Sequence, residues 1–244
     1  MPPCLARYVC LILVLCLGCA QALGAKPAAP RWQAVLVAGD NAQPVFDNAV
    51  KAFADWLGMH GVPGGYIHRL SAVRRLDDPA VAPATAAHIL GQIAALRPQP
   101  GQGCLVFITS HGSRGEGVWL AYHQEFLHPA DLARALSVGC RTAPTVVIVS
   151  SCYSGAFVGS PMQAPNRIIL SAARADRPSF GCQADRTYTV FDECLLAAVE
   201  RTPSWRAIQA ASLGCVQKRE KWLGVLPSQP QASFGAAVRD LALR

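Results

Sequence analysis

Two stretches decide how this chain folds: Cys104-Leu105-Val106-Phe107-Ile108-Thr109-Ser110-His111-Gly112 and Thr145-Val146-Val147-Ile148-Val149-Ser150-Ser151-Cys152-Tyr153-Ser154-Gly155. Each begins as an apolar run of strand length and breaks into small polar residues and glycine. Such a run has no polar alternate face, so it reads as a strand buried on both sides, the pattern of a parallel sheet. In open α/β sheets, ligands bind just beyond the carboxyl ends of the strands. Neighbouring strands lie about 4.8 Å apart, so the loops after two adjacent parallel strands nearly touch. One loop would deliver the His111 imidazole and the other the Cys152 thiol, with glycines leaving backbone N–H groups open. That is a nucleophile, an acid/base and an oxyanion hole, the minimum for acyl transfer. A single cysteine after an apolar strand is usually a buried small hydrophobe; the paired His-Gly and Ser-Cys-x-Ser-Gly loops reverse that reading.

Outward from these runs, strands and helices alternate. Ala34 to Gly39 predicts a strand, and Val45 to Leu57 a helix with Val45, Phe46, Val50, Phe53, Ala54 and Leu57 on one face. Tyr66 to Leu70 predicts a weak strand, Pro83 to Leu96 a helix stopped by Pro98, and Pro129 to Leu136 a helix with proline at its first position. Arg167 to Ser171 is another buried strand. Phe191 to Glu200 is a helix, Thr202-Pro203 caps a further one running to about Trp222, and Ala232 to Phe234 is an edge strand. The alternation predicts an α/β fold, a three-layer α/β/α sandwich on a mostly parallel sheet. The last helix, with Trp205, Ile208, Leu213, Val216 and Trp222, reads as core packing.

The rest of the composition excludes more than it assigns. The chain has 244 residues, is 52% apolar and only 15% charged, which argues for a packed domain and against disorder. Its +7 charge, 22 Lys plus Arg against 15 Asp plus Glu, is scattered; the longest basic cluster is Lys218-Arg219 with Lys221, so no nucleic-acid platform is expected. His123-x-Glu125-x-x-His128 lacks zinc-protease spacing, and the Gly112, Gly115 and Gly117 loop lacks the Gly-Lys-Ser/Thr of a phosphate loop. His60, His68 and His88 suggest no partner. At the front, Arg7 precedes an apolar stretch from Tyr8 to Leu17 and then Ala20-Gln21-Ala22. Residues 1–25 therefore read as a signal peptide or lipoprotein leader, 26–32 as a linker and 33–244 as one domain. Cys16-Leu17-Gly18-Cys19 looks like a lipobox, which makes Cys19 a lipidation candidate. An oxidising compartment lets some of Cys104, Cys140, Cys152, Cys182, Cys194 and Cys215 pair, and if one thiol stays free for chemistry at least one of the other five is unpaired too. Cys104 with Cys140 is geometrically open, as is leaving both free; Cys182 with Cys215 or Cys194 is a further pairing.

Taken together, the His111-Gly112-Ser113-x-Gly115 loop, Cys152-x-Ser154-Gly155 and the Val35-Leu36-Val37-Ala38-Gly39-Asp40-Asn41 stretch resemble the caspase-like cysteine peptidases, most of all the legumain family in a bacterial-type member. Ser171-Ala172-Ala173, Ser179-Phe180-Gly181-Cys182 and Asp192 extend the resemblance across Val35 to Phe234. It implies a cysteine endopeptidase acting on protein or peptide substrates, which the leader would make an exported one, periplasmic or lipid-anchored to the bacterial envelope. Membrane attachment would be through the N-terminus only, and no metal or other cofactor would be used. Cys152 would be the nucleophile and His111 the acid/base, with the Gly112 and Cys152 N–H groups forming the oxyanion hole. Asp192, Asp176, Tyr153 and Ser171 would line the substrate site. The sequence departs from the family at two points: Tyr153 replaces an acidic residue after the nucleophile, and Asp40 to Asp47 holds no arginine. A pocket with Asp192 and Asp176 but no arginine is net acidic, which points to Lys or Arg acceptance, or to permissiveness, over strict cleavage after Asn. A transamidase using the same thioester, or a catalytically idle envelope binding module, are the competing readings.

Overall fold

A computed structural model of the chain describes residues 31–74 and 78–243. The proposed leader, Cys19 and most of the linker lie outside the described residues. One seven-stranded sheet organises the chain, in the order β10-β9-β8-β4-β1-β2-β3. Its strands are β1 (Arg31–Ala38), β2 (Ile67–Ser71), β3 (Val81–Pro83), β4 (Gln102–Thr109), β8 (Thr145–Ser150), β9 (Arg167–Ser171) and β10 (Gln231–Phe234). All pairings are parallel except β9 with β10. β4 and β8 are buried at every residue, as runs without a polar face require.

Helices cover both faces. Alternate side chains of the central strands, such as Leu36, Phe107 and Ile148, share one core with α1 (Val45–Met59), α4 (Val190–Arg201) and α5 (Trp205–Leu223). The opposite set, such as Val37, Ile108 and Val149, packs with α2 (Ala86–Ala95) and α3 (Pro129–Gly139). This is the expected three-layer α/β/α sandwich. Two disulfides tie it together: Cys104–Cys140 joins the start of β4 to the end of α3, and Cys194–Cys215 joins α4 to α5. Cys182 is free. The expected pairing of Cys182 with Cys194 or Cys215 is therefore incorrect, because α4 and α5 lie side by side and present their cysteines to each other first.

Other boundaries move for local reasons. Arg31 and Trp32 belong to β1, not to a linker, since β4 extends back to Gln102 and pairs with them. Val81 to Pro83 is an edge strand, and α2 begins only after Thr85, whose hydroxyl accepts the His88 N–H. Ser204, not Thr202, caps α5, accepting the Ala207 N–H. Trp205, Ile208 and Val216 are buried, but Trp222 is 80% exposed, so the apolar stripe of α5 stops short of its end. His60 does find a partner: its Nδ1 lies 2.8 Å from the Trp56 carbonyl and its ring stacks on the Trp56 indole. A small antiparallel sheet was not expected at all: β5 (Gly112–Ser113), β6 (Gly117–Leu120) and β7 (Glu125–Leu127).

Candidate active site

The parallel strands end together, so the loops that follow them gather on one rim of the sheet. Thr109 of β4 and Ser150 of β8 are register partners, and the Ser110 N–H donates to the Ser150 carbonyl at 3.0 Å. His111 and Cys152 each follow two residues after one of those partners, and both are half-buried. The contact is close enough to require glycine: a Cβ at Gly112 would collide with the Cys152 carbonyl oxygen and stand 2.9 Å from Ser151 Oγ. The two backbones proposed as oxyanion donors are thus neighbours.

Each side chain is steered by its surroundings. The Phe46 ring, from the first turn of α1, meets the His111 ring in a T-shaped contact with centroids 5.3 Å apart. The His111 carbonyl accepts the Trp119 N–H at 3.0 Å, which fastens the loop to β6. After Cys152, Tyr153 adopts a left-handed conformation with φ 59°, uncommon for a non-glycine residue. Its N–H is held by the Arg177 carbonyl at 2.8 Å. The Cys152 sulfur lies against the loop after β9, 3.2 Å from the Ser179 N–H and 3.5 Å from the Ser179 carbonyl. Ser179 appeared in the sequence only as part of a motif; nothing in its spacing indicated that it would touch the thiol.

The acidic residues are distributed unevenly. Asp192, fully buried near the start of α4, accepts the Thr109 hydroxyl at 2.7 Å, and its own N–H donates to the Thr189 hydroxyl. Burial pushes its carboxyl up to about 6, against the lowering effect of hydrogen bonds from Thr109, Ser150 and Thr189. Asp176 is exposed and paired with the Arg174 guanidinium, whose hydrogen bonds hold it down to about 2. The Arg114 guanidinium donates to the Asp176 carbonyl and stands over the Tyr153 ring at 5.5 Å. Asp47, in the first turn of α1, is raised by burial, with a smaller opposing hydrogen bond from Ser71. Ser171 is fully buried, and its hydroxyl donates to the Ala173 carbonyl, so it shapes the loop from beneath. Among the described residues no group of three or more His, Cys, Asp or Glu side chains is placed to hold a metal ion. His123 and Glu125 come within 3.9 Å, while the Glu125 carboxylate accepts the Ala86 N–H at the start of α2.

The architecture is similar to that of a solved structure, caspase-1 from Spodoptera frugiperda. The match has a TM-score of 0.60 at 11% identity and covers 84% of this chain and 87% of that one. At that identity the likeness is one of fold. A comparison with curated proteins finds no match. The sequence model of the peptidase C13 family matches residues 80–213, more than half of the chain, a span that holds His111, Gly112, Cys152, Ser179 and Asp192. This chain belongs to the peptidase C13 family.

Proposed function

We propose that this protein is an exported cysteine endopeptidase that hydrolyses peptide bonds through a thioester on Cys152. The observation that carries this reading is the side-by-side ending of β4 and β8, which sets the His111 and Cys152 loops in backbone contact at Gly112. His111 takes the thiol proton, and the sulfur attacks the scissile carbonyl. The Gly112 and Cys152 N–H groups hold the oxyanion, each such donor being worth about 3 kcal/mol in related chemistry. His111 then protonates the departing amine, and water, giving its proton back to His111, hydrolyses the thioester.

For the residue before the scissile bond, Asp176 is neutralised by Arg174, whereas Asp192 and Asp47 have no cationic partner among the described residues. Asp192, expected to line the substrate site, is fully enclosed and cannot touch a substrate side chain, and burial favours the neutral form of both carboxyls. Acceptance of Lys or Arg therefore rests on the absence of an arginine from Asp40 to Asp47, so that no guanidinium there repels a basic side chain. The sequence of residues 1–25 supports export, with Cys19 as the lipid-bearing residue if the lipobox is read.

An acyloxymethyl-ketone probe tests the nucleophile: it labels the wild-type chain and not Cys152→Ala. Labelling unchanged by that substitution would remove the assignment. A panel of short fluorogenic peptides, run with and without an added amine, tests the rest. Cleavage confined to Asn and Asp sites overturns the basic preference, and amide transfer outrunning hydrolysis makes the enzyme a transamidase.

A further inference from the structure

Six cysteines fall among the described residues, and two disulfides consume four of them. Cys152 and Cys182 are left as free thiols, both half-buried. An environment that oxidises two pairs also threatens an accessible nucleophilic sulfur. The hydrolytic mechanism gives Cys182 no task.

Its placement suggests one. The segment that touches the nucleophile also carries the second thiol: the Ser179 backbone brackets the Cys152 sulfur, and Cys182 follows three residues later. Between them Gly181 has φ +98°, a left-handed turn that a side chain would strain, and an added Cβ would stand 2.6 Å from Val190 N. The turn is anchored by the Val190 N–H donating to the Phe180 carbonyl at 3.0 Å. Burial raises the Cys182 thiol, with the nearby Cys152 sulfur adding to the effect, a backbone hydrogen bond opposing it and the Asp40 carboxylate adding a little more. A thiol kept protonated is a poor first target for an oxidant.

We infer that Cys182 is a resolving thiol, a site of reversible covalent modification that draws an oxidised Cys152 into a disulfide and shields it from irreversible oxidation. The inference rests on Cys152 being the reactive thiol of the proposed peptidase. The oxidant class is a peroxide. The Cys152 thiol gives its proton to His111, the thiolate attacks one peroxide oxygen, the O–O bond breaks, sulfenic acid forms with that oxygen, and the departing hydroxide takes the proton back from His111 as water. The Cys182 sulfur then attacks the sulfenic sulfur, the S–O bond breaks, hydroxide leaves and takes up the Cys182 proton as water, and an S–S bond forms. Closure requires the two Cα atoms to come within about 7 Å, so the cross-link is itself the decisive readout.

The full chain, with its two structural disulfides intact, is treated with hydrogen peroxide and digested without reductant. The expected result is a loss of two hydrogens in intact mass and a Cys152–Cys182 cross-linked peptide, with peptide hydrolysis lost and then restored by a mild thiol reductant. In Cys182→Ser, and in Cys182→Ala should serine disturb the packing, the same treatment carries Cys152 to sulfinic or sulfonic acid and the loss is permanent. The inference is overturned if wild-type Cys152 is found over-oxidised without the cross-link, or if the variants recover as fully as wild type. Because the cross-link is read by mass without substrate, its absence is a separate result from a failure to hydrolyse peptides.

Discussion

The Asp192 carboxylate accepts a 2.7 Å hydrogen bond from the hydroxyl of Thr109, the last residue of β4 and the second before His111. One buried carboxyl from α4 thus braces the end of β4, the strand that carries the His111 loop, and Ser150, the register partner of Thr109, is near enough to lower its titration.

That brace has a pH signature. Asp192 is held at about 6 in the folded chain, above the ordinary carboxylate value of 3.8, so folding binds an extra proton between about pH 4 and 6. Its contribution to stability is complete below pH 4 and lost as pH rises through 6, an effect on the order of 3 kcal/mol. Asp192→Asn cannot titrate. The stability of wild type relative to that variant should therefore decline from pH 4 to pH 7, as measured by urea unfolding at each pH.

Gly112→Ala should destabilise the chain by about 1–3 kcal/mol, because the new methyl collides with the Cys152 carbonyl and forces the two loops apart. Peptide hydrolysis should fall with it. At Gly91, inside α2 with nothing within 4 Å of an added Cβ, the same change should stabilise by roughly 0.5–1 kcal/mol. Thermal melts of the two variants give opposite signs if the contact at Gly112 is as tight as described.

His111→Gln removes the acid/base while leaving a side chain of similar length beside Phe46. A loss of about 10²- to 10⁴-fold in kcat, with KM changed far less, is expected from steady-state kinetics on a cleaved fluorogenic peptide. A loss carried in KM alone would assign His111 to substrate binding.

Replacing both Cys194 and Cys215 by serine opens the 21-residue link between α4 and α5. Loop-closure entropy alone predicts a loss of about 3 kcal/mol, or a Tm lower by roughly 6–12 °C. A calorimetric scan of the double variant, beside wild type under the same non-reducing conditions, checks it.

Much of this fold is written in local patterns. β4 and β8 announce themselves because a strand buried on both faces must be apolar at every position, and α1 because Val45, Phe46, Val50, Phe53 and Leu57 recur with helical spacing. The small β5-β6-β7 sheet escaped because its strands are only two to four residues long, too short for alternation to register. Trp222 misled for a related reason: helical spacing says which face a residue occupies, and only the neighbours of that face decide whether anything covers it.

The sequence alone determined the order of the helices and the longer strands, the mostly parallel sheet and the two loops bearing His111 and Cys152, since each depends on residues close together in the chain. Which cysteines pair, what lies against the Cys152 sulfur, and that Asp192 braces the end of β4 were decided only in three dimensions. Those contacts join residues 21 to 83 positions apart, and they exist only once helices have packed onto the sheet and brought their side chains within bonding distance.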